Sequence, residues 1–418
     1  MISLMAQLLI WMSLCVFLIG TLIIIVKDNY GFIGLGFCIY WILFFLFPAT
    51  FHLKTGVYPF YSMSYEEAPQ AYAALAVLIF SLFFFLGFFI KSSKKIKKYH
   101  SPNLSVKVRN IYIFLFFSLA IQFYLIASHG ASLFLVSRSD FNLESFGSGV
   151  GGVALVGFIR SLSFATVLVV FFLLRRQTST LVFALCATSS LVTFAVVNFP
   201  LALPRYIFFS YILSLIYILL ANKTRNKFYV FSLFALGVTT VFPAFSNLTR
   251  HGGRFVFDEF TKYYSSSGDF DGFQSLINTL IYVTDNGLSY GYQALGVILV
   301  LIPRAFWPDK PLPTGSLVSE HLGYSFVNIS APIISEIYID FGWIGLPILS
   351  FILGILLRTI DLHSIISKKS GDWVGIFVSA AIFSTIIIVM RGSLMAIISN
   401  VVLLVLLVWF TARISVRR

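Results

Sequence analysis

Charged residues are scarce in this chain. Only 11% of its 418 residues are Asp, Glu, Lys or Arg, whereas 59% are hydrophobic. A soluble globular domain usually carries about a quarter charged residues, so the composition excludes a soluble globule and predicts a polytopic membrane protein. The formal net charge of +13 does not indicate nucleic-acid binding, because the basic residues concentrate in short hinges between apolar runs.

Cysteine and the common catalytic motifs are also scarce. The three cysteines, Cys15, Cys38 and Cys186, all fall inside apolar runs, so we predict no disulfide framework and no metal-ligand spacing. The chain has no P-loop, no dinucleotide-binding glycine pattern, no HExxH and no nucleophile elbow. Asp269 and Asp271 resemble a metal-binding DxD pair, but they fall on the predicted side of the membrane that lacks nucleotides. We therefore expect no metal and no cofactor.

About eleven apolar runs are long enough to cross a bilayer core, which takes about 20 residues of helix. They lie at 3–26, 31–53, 69–90, 110–128, 150–174, 180–198, 204–221, 228–245, 332–357, 372–390 and 393–411. The predicted fold class is therefore all-α, with the whole chain, 1–418, as one transmembrane domain. The long break at 246–331 is predicted to be a large outer loop that hugs the bilayer as a lid over the bundle.

The distribution of Lys and Arg predicts the orientation. The dense basic block at 91–109 places the end of the third run inside, because short loops rich in Lys and Arg stay cytoplasmic. Alternation then puts the N-terminus outside and the C-terminus inside. On this topology the inner side holds nineteen of the 29 basic residues and only three acidic ones, Asp28, Asp361 and Asp372.

Arginine dominates the basic residues outside these inner hinges. Seven are arginine and three are lysine, an excess for which membrane insertion gives no reason. A guanidinium group matches two phosphate oxygens at once, so the bias favours a phosphate-bearing ligand on the outer side. The alternative is that these arginines pair with acids of the same loops. They are Arg138, Arg160, Arg205, Arg250, Arg254, Arg304 and Arg391.

The large outer loop contains two predicted membrane-surface elements. Residues 271–283 carry apolar side chains at helical spacing with polar side chains opposite, as in a helix that lies in the membrane interface. Residues 294–302 are apolar but too short to span, which predicts a re-entrant or interfacial piece. Four prolines within 303–313 predict an extended segment around Arg304.

Two acidic residues follow this loop. Glu336 and Asp340 lie four residues apart at the outer end of the ninth run. They are either helix-start acids paired with Arg391, or one of them is a base next to bound substrate. Because a reaction outside the cytoplasm has no ATP, its donor must arrive activated. An isoprenoid pyrophosphate that carries a sugar chain meets this need.

Two motifs in the last third of the chain then carry a family resemblance. They are IPRAFWPDKP at 302–311 and SEIYIDFGWIG at 335–345. In addition, an arginine precedes a glycine by eleven positions in each of the two largest outer loops, at Arg138 and at Arg304. In these features the chain resembles the Wzy-type O-antigen polymerase family, the oligosaccharide repeat-unit polymerases.

The resemblance implies a metal-independent, inverting glycosyltransferase of the GT-C type in the bacterial inner membrane, with its active site facing the periplasm. Such an enzyme transfers a growing glycan from polyprenyl pyrophosphate to the next lipid-linked repeat unit. The implied partners are the lipid-linked donor and acceptor, membrane lipids, and a chain-length regulator and a flippase of the same pathway. No nucleic acid is implied.

We expect arginines to bind the departing diphosphate and a side-chain base to take the acceptor proton. The predicted diphosphate ligands are Arg138, Arg205, Arg250, Arg254, Arg304 and Arg391. The predicted base is Glu336, with His251 as the second candidate. An O-antigen ligase, with a lipid A core acceptor, and a lipid-linked oligosaccharide flippase or other transporter are the alternative functions.

Overall fold

The computed structural model of the protein describes residues 3–60, 65–90, 105–106, 108–136, 150–175, 181–203, 205–220, 227–237, 240, 260–300, 302, 304–327, 329–414 and 416–417. The regular structure in these ranges is helical, apart from one antiparallel pair of two-residue strands, β1 (Ser105–Val106) and β2 (Val416–Arg417). The structure thus confirms an all-helical, polytopic membrane protein.

Nine helices lie in the described residues before the predicted outer loop. They are α1 Leu4–Val26, α2 Phe32–Tyr40, α3 Phe47–Thr55, α4 Glu67–Phe89, α5 Val108–His129, α6 Val150–Arg175, α7 Leu181–Val197, α8 Arg205–Leu220 and α9 Lys227–Leu236. A π-helix, Trp41–Leu46, joins α2 to α3, and a 3-10 turn, Ala131–Leu133, follows α5. Pro48 lacks the N–H that would bond the carbonyl four residues earlier, and the helix widens over the preceding turn.

Seven helices lie in the described residues from 260 onward. They are α10 Phe260–Ser266, α11 Gly272–Asn286, α12 Tyr292–Ile298, α13 Thr314–His321, α14 Ile333–Ser370, α15 Trp373–Arg391 and α16 Leu394–Ile414. A 3-10 turn, Gly268–Phe270, precedes α11.

Six helical stretches among the described residues are long and apolar enough to cross a membrane. They are Leu4–Val26, Phe32–Thr55, Glu67–Phe89, Arg109–His129, Ile333–Ser370 and Val374–Arg391. Shorter apolar helices lie in the other predicted runs, at Leu155–Phe171, Leu181–Val197, Ile207–Leu219, Lys227–Leu236 and Leu394–Leu407. The number of eleven spans stays a prediction, as does a single transmembrane domain with 246–331 as its lid.

The chain forms two compact units. Unit 1 comprises residues 1–95, 224–365 and 386–399, and unit 2 comprises residues 96–223, 366–385 and 400–418. In unit 2, Asn198 just after α7 donates to the Ser163 hydroxyl on α6 over 2.6 Å, and Ser214 on α8 donates to the Ala380 carbonyl on α15 over 2.8 Å. Buried hydroxyl and amide groups thus connect the apolar helices of this unit.

Aromatic rings fill the core of unit 1. Phe37 on α2 stacks on Phe84 of α4 with 4.3 Å between ring centroids, and Trp41 stacks on Phe45 at 4.4 Å. Phe17 of α1 packs against the same set and is fully buried. Such rings bury a large apolar area with little loss of side-chain freedom, so they make this core rigid.

The predicted inner hinges meet at one end of unit 1, which we call the inner end. Lys227 donates from Nζ to the carbonyls of Ile24 (2.7 Å) and Lys27 (2.6 Å). Arg358 donates to the carbonyl of Asn29 over 3.0 Å. Segments that the alternation assigns to one side are therefore together, which agrees with the predicted grouping; which side is cytoplasmic stays a prediction.

Helix α11 contacts a predicted outer hinge, at the other end of α14. Gln274 donates to the Phe60 carbonyl (2.5 Å) and accepts from its N–H (3.0 Å), while Tyr65 donates to the Asn278 side chain (2.6 Å). The helix predicted at 271–283 is confirmed. Its polar stripe, however, faces protein and not water, because α3, α4 and α13 bury both faces of its first turns. A position of this helix in the membrane interface stays a prediction.

Candidate active site at the outer end of unit 1

Five segments converge where the outer hinges of unit 1 meet. They are the turn Gly268–Phe270, the start of α11, residues 329–332, the start of α14, and the hairpin 391–393 between α15 and α16; the first residue of α13, Thr314, contacts the same place. We call their polar residues the outer-end cluster: Asp269, Asp271, Thr314, Ser330, Glu336, Arg391 and Ser393. The Ala331 N–H donates a hydrogen bond of 3.1 Å to the Arg391 carbonyl, which holds the hairpin against residues 329–332.

Arg391 is the cation of this cluster. Its Nη2 donates to the carbonyl of Gly268 over 2.7 Å. Nη1 lies 3.7 Å from an Asp269 oxygen and Nε lies 3.9 Å from an Asp271 oxygen, and the side chain is 21% exposed. The guanidinium is thus held by the loop while the side chain stays partly exposed, which suits a preorganised ligand-binding group.

The acids beside Arg391 are almost completely buried. Asp271 accepts hydrogen bonds from the Ser330 N–H, over 3.0 Å, and from the Ser330 hydroxyl. Burial raises the pKa of Asp271, while the Arg391 charge and the Ser330 bonds act to lower it. Two carboxylates face one guanidinium, so the described part of this site is not by itself an anion-attracting surface.

One of the two alternatives for Glu336 and Asp340 paired them with Arg391, but the ion pairs described for Arg391 involve other acids. Asp269 and Asp271, which the sequence analysis set aside as a DxD mimic, take that place. Sequence reasoning missed them because a hairpin arginine does not show which distant loop acids will fold against it. Acids two residues apart in the same outer region were the only available signal.

Glu336 instead holds the start of α16. One carboxylate oxygen accepts from the Ser393 hydroxyl (3.0 Å) and the Leu394 N–H (2.8 Å), and the other accepts from the Thr314 hydroxyl (2.7 Å). The first N–H groups of a helix lack intrahelical partners and attract a negative charge. The carboxylate therefore positions the hairpin that carries Arg391.

Asp340 does the same for α12. Its carboxylate accepts from the N–H groups of Gly291 (3.1 Å), Gln293 (3.1 Å) and Ala294 (2.8 Å). Two residues later, Gly342 breaks α14 with φ 55° and ψ −146°, a conformation that only glycine adopts readily. The motif SEIYIDFGWIG thus encodes two helix-capping acids and a helix break.

The other motif, IPRAFWPDKP, forms a turn in which Arg304 and Lys310 donate hydrogen bonds to backbone carbonyls of the same segment. Arg304 donates to the carbonyls of Lys310 (2.5 Å) and Pro311 (2.9 Å), and its side chain is exposed. Lys310 donates to the carbonyls of Val300 (2.6 Å) and Ile302 (3.0 Å). Partial burial and the neighbouring Arg304 charge lower the pKa of Lys310.

At Gly315 an added Cβ would lie 2.4 Å from the Ile329 carbonyl oxygen, so α13 needs glycine at this close approach.

The remaining predicted site residues are not placed. Arg138, Arg250, His251 and Arg254 lie outside the described residues, and Arg205 is the first residue of α8, in unit 2, with its side chain outside the description. Among the described residues, no three His, Cys, Asp or Glu side chains lie close enough to hold a metal ion.

The fold and the outer-end cluster define a multi-pass membrane protein with a polar site at the ends of its helices. Residues 328–418, about a fifth of the chain, match the family model described as O-antigen polysaccharide polymerase Wzy. The matched segment includes α14, α15 and α16, hence Glu336 and Arg391. The match confirms the predicted resemblance to the Wzy-type family over this segment, which contains the motif SEIYIDFGWIG. No curated protein and no solved structure matches the chain.

At the family level this match supports O-antigen polymerisation, a glycosyltransferase-type activity on lipid-linked oligosaccharides, in a bacterial membrane.

Proposed function

We propose that this protein polymerises lipid-linked oligosaccharide repeat units on the outer face of the inner membrane. The donor is a growing glycan on polyprenyl pyrophosphate, and the acceptor is the terminal sugar of the next lipid-linked repeat unit. The observation that carries the proposal is the family match over 328–418, which covers the hairpin of Arg391 and the capping acid Glu336.

The proposed reaction is a single, inverting displacement without a metal. The acceptor hydroxyl oxygen bonds to the anomeric carbon as the bond from that carbon to the diphosphate oxygen breaks. The diphosphate leaves with the electron pair, and a base takes the hydroxyl proton. Fixed guanidinium groups stabilise the developing negative charge, and losing one well-placed donor of this kind costs about 2.7–4 kcal/mol.

Arg391 and Arg304 are the proposed diphosphate ligands whose side chains are described. Because Asp269 and Asp271 flank Arg391, binding of a dianion there requires more positive charge than Arg391 supplies. We propose that Arg250 and Arg254, from the loop just before these acids, supply it, and Arg138 and Arg205 stay predicted diphosphate ligands.

Glu336 stays our first proposal for the base and His251 our second. The Glu336 oxygen that accepts from Thr314 has the fewer hydrogen bonds of its two oxygens, so proton transfer would occur there after Thr314 moves aside. The same contacts would also suit a purely positioning role, and the substitutions described in the Discussion separate the two.

Deletion of the gene in the source bacterium tests the proposed function. We expect lipopolysaccharide whose core carries a single repeat unit, with polymer restored by the wild-type gene. Polymer that accumulates on the isoprenoid carrier would identify a ligase instead. Loss of both products would identify a flippase, and either result would refute the proposal.

A further inference from the structure

Helix α12 has its polar side inward and its apolar side outward. Tyr292, Leu295 and Ile298 form the exposed stripe, and Ile298 is 76% exposed. Gln293 and Gly296 form the buried side. A helix next to water shows the opposite arrangement, so water is not the natural neighbour of this stripe.

The turn that follows continues the apolar surface. Phe306 is 83% exposed and Leu312 is also exposed. Tyr290, just before α12, is 84% exposed although its φ of 49° is unusual for a bulky residue. We call residues 288–300, 302 and 304–312 the α12 lobe. Exposed apolar groups in one contiguous segment mark a surface that binds something apolar.

The backbone of the lobe is satisfied from within. Carbonyls of Val300 and Ile302 accept from Lys310, and carbonyls of Lys310 and Pro311 accept from Arg304. The Tyr292 hydroxyl donates to the carbonyl of Asp309. Irregular backbone in water has no need of such partners, whereas backbone near hydrocarbon must be satisfied by protein groups.

The lobe lies against the first turns of two membrane helices. The Ser289 N–H donates to the carbonyl of Ile339 over 2.9 Å, just before the break in α14, and Gly296 contacts Met395 at the start of α16. Beyond the break, α14 exposes an apolar stripe on one face. Its members are Ile344, Ile348, Ile352 and Leu356. The apolar surface of the lobe therefore begins at the level where a lipid-facing stripe ends.

From these observations we infer that the α12 lobe is seated in the phospholipid bilayer, at the boundary between headgroups and acyl chains. Ile298 and Phe306 enter the acyl region, while the exposed Arg304 and the Lys310 ammonium lie at the level of the lipid phosphates. Tyr292 and Trp307, whose ring centroids are 6.0 Å apart, provide the aromatic groups typical of this boundary. The inference goes beyond the proposed function and does not depend on it.

Fluorescence quenching in vesicles tests the inference. Bimane is attached to single cysteines introduced as Ile298→Cys or Phe306→Cys, in a background of Cys15→Ser, Cys38→Ala and Cys186→Ser. The full-length protein is placed in phosphatidylethanolamine and phosphatidylglycerol vesicles that contain a phospholipid with a nitroxide on its acyl chain. Iodide is the aqueous quencher.

Two matched labels calibrate the result. Ile348→Cys on α14 reports the acyl region, and Glu320→Cys on α13 reports an exposed position outside the spans. We expect labels at 298 and 306 to be several-fold less sensitive to iodide than the label at 320, and to be quenched by the lipid nitroxide as the label at 348 is. If the cysteine-free protein does not elute as one species, a fluorescent amino acid inserted at 306 by stop-codon suppression gives the same readout.

Two outcomes would overturn the inference. Iodide quenching at 298 and 306 equal to that at 320 would show a lobe in water. Protection from both quenchers would show that protein, from this chain or a second copy, covers the surface instead of lipid.

Discussion

At the inner end of unit 1, one carboxylate, Asp361, is fully buried and accepts the N–H groups of Gly31 (2.6 Å), Ile33 (3.2 Å) and Gly34 (3.2 Å) beside Arg358. At the outer end, by contrast, two carboxylates, Asp269 and Asp271, share a single described guanidinium, and that guanidinium is partly exposed. One carboxylate therefore faces one guanidinium at the inner end, whereas two carboxylates face one guanidinium at the outer end.

We therefore interpret the contacts of Asp361 and Arg358 at the inner end, which we call the inner joint, as structural. The outer end is the candidate site. The inner joint is further closed by the Arg358 guanidinium, which lies 4.3 Å from the ring centroid of Tyr30. It leaves no group of Asp361 for a ligand. At the outer end two buried acids lie against one partly exposed guanidinium, an arrangement that is common at functional sites.

Helix α14 connects the two ends. Its three carboxylates, Glu336, Asp340 and Asp361, each accept N–H groups from the start of another helix, α16, α12 and α2 in turn. The variants below test whether the outer acids do more than this.

The largest effect is expected from Glu336→Gln. If Glu336 is the base, the rate of polymer formation falls by about 10²–10⁴-fold, while the amide oxygen still accepts from Leu394 and keeps the hairpin in place. The measurement is the polymer ladder on a gel together with thermal unfolding of the purified protein.

Ser393→Ala is the matched control, because it removes one bond to Glu336 and leaves the carboxylate. We expect it to keep most of the polymer. Normal polymer formation by Glu336→Gln would show that Glu336 positions the hairpin and is not the base. Glu336 at the outer end would then have a structural role, as Asp361 has at the inner end.

Asp361→Ala should have the largest effect on stability. It strands three buried N–H groups and the charge of Arg358, and breaking a buried pair of this kind costs about 3–5 kcal/mol. Asp28→Ala removes an exposed carboxylate of the same inner hinge and should change stability by no more than about 0.5 kcal/mol. Thermal unfolding in detergent measures both. Equal unfolding temperatures for the two variants would contradict the structural role of the inner joint.

Gly342→Ala should cost about 1–3 kcal/mol, because a residue with a Cβ is strained at this φ and ψ. The added Cβ would also lie 3.2 Å from a Leu288 methyl group. Gly237→Ala provides the comparison, since a Cβ there meets nothing within 4 Å. Equal changes of the unfolding temperature in the two variants would show that stability does not depend on the glycine conformation at the helix break.

The smallest effect is a pH dependence from Asp271. Burial raises its pKa above the ordinary 3.8, so the folded protein holds this proton more tightly than the unfolded chain does. The resulting stability is complete below about pH 3.8 and is lost as the pH rises through the folded pKa. Asp271→Asn should flatten the fall of the unfolding temperature with pH over this range.

Ser330→Ala sharpens the same test. It removes a hydrogen bond that lowers the pKa of Asp271, so the fall of the unfolding temperature should extend to a higher pH. Identical pH curves for wild type and Asp271→Asn would show that Asp271 is not the group responsible.

Parts of the site were predictable from the sequence and parts were not. The Arg391 hairpin and the helix start at Glu336 follow from local signals: a short polar break, and a proline before an apolar run. The donors to Glu336 come from residues 22 and 57 positions away. Likewise, the amphipathic pattern at 271–283 predicts a helix correctly but does not predict that protein will cover its polar stripe.

The sequence by itself determined that the chain enters a membrane, where its helices lie, and which hinges share a side, because hydropathy and the distribution of Lys and Arg act locally along the chain. Only the tertiary structure decided which carboxylate meets which cation. Asp361 and Gly31 are 330 positions apart and within 2.6 Å. Such a contact depends on how several helices pack at once, and a pattern of neighbouring residues does not record that.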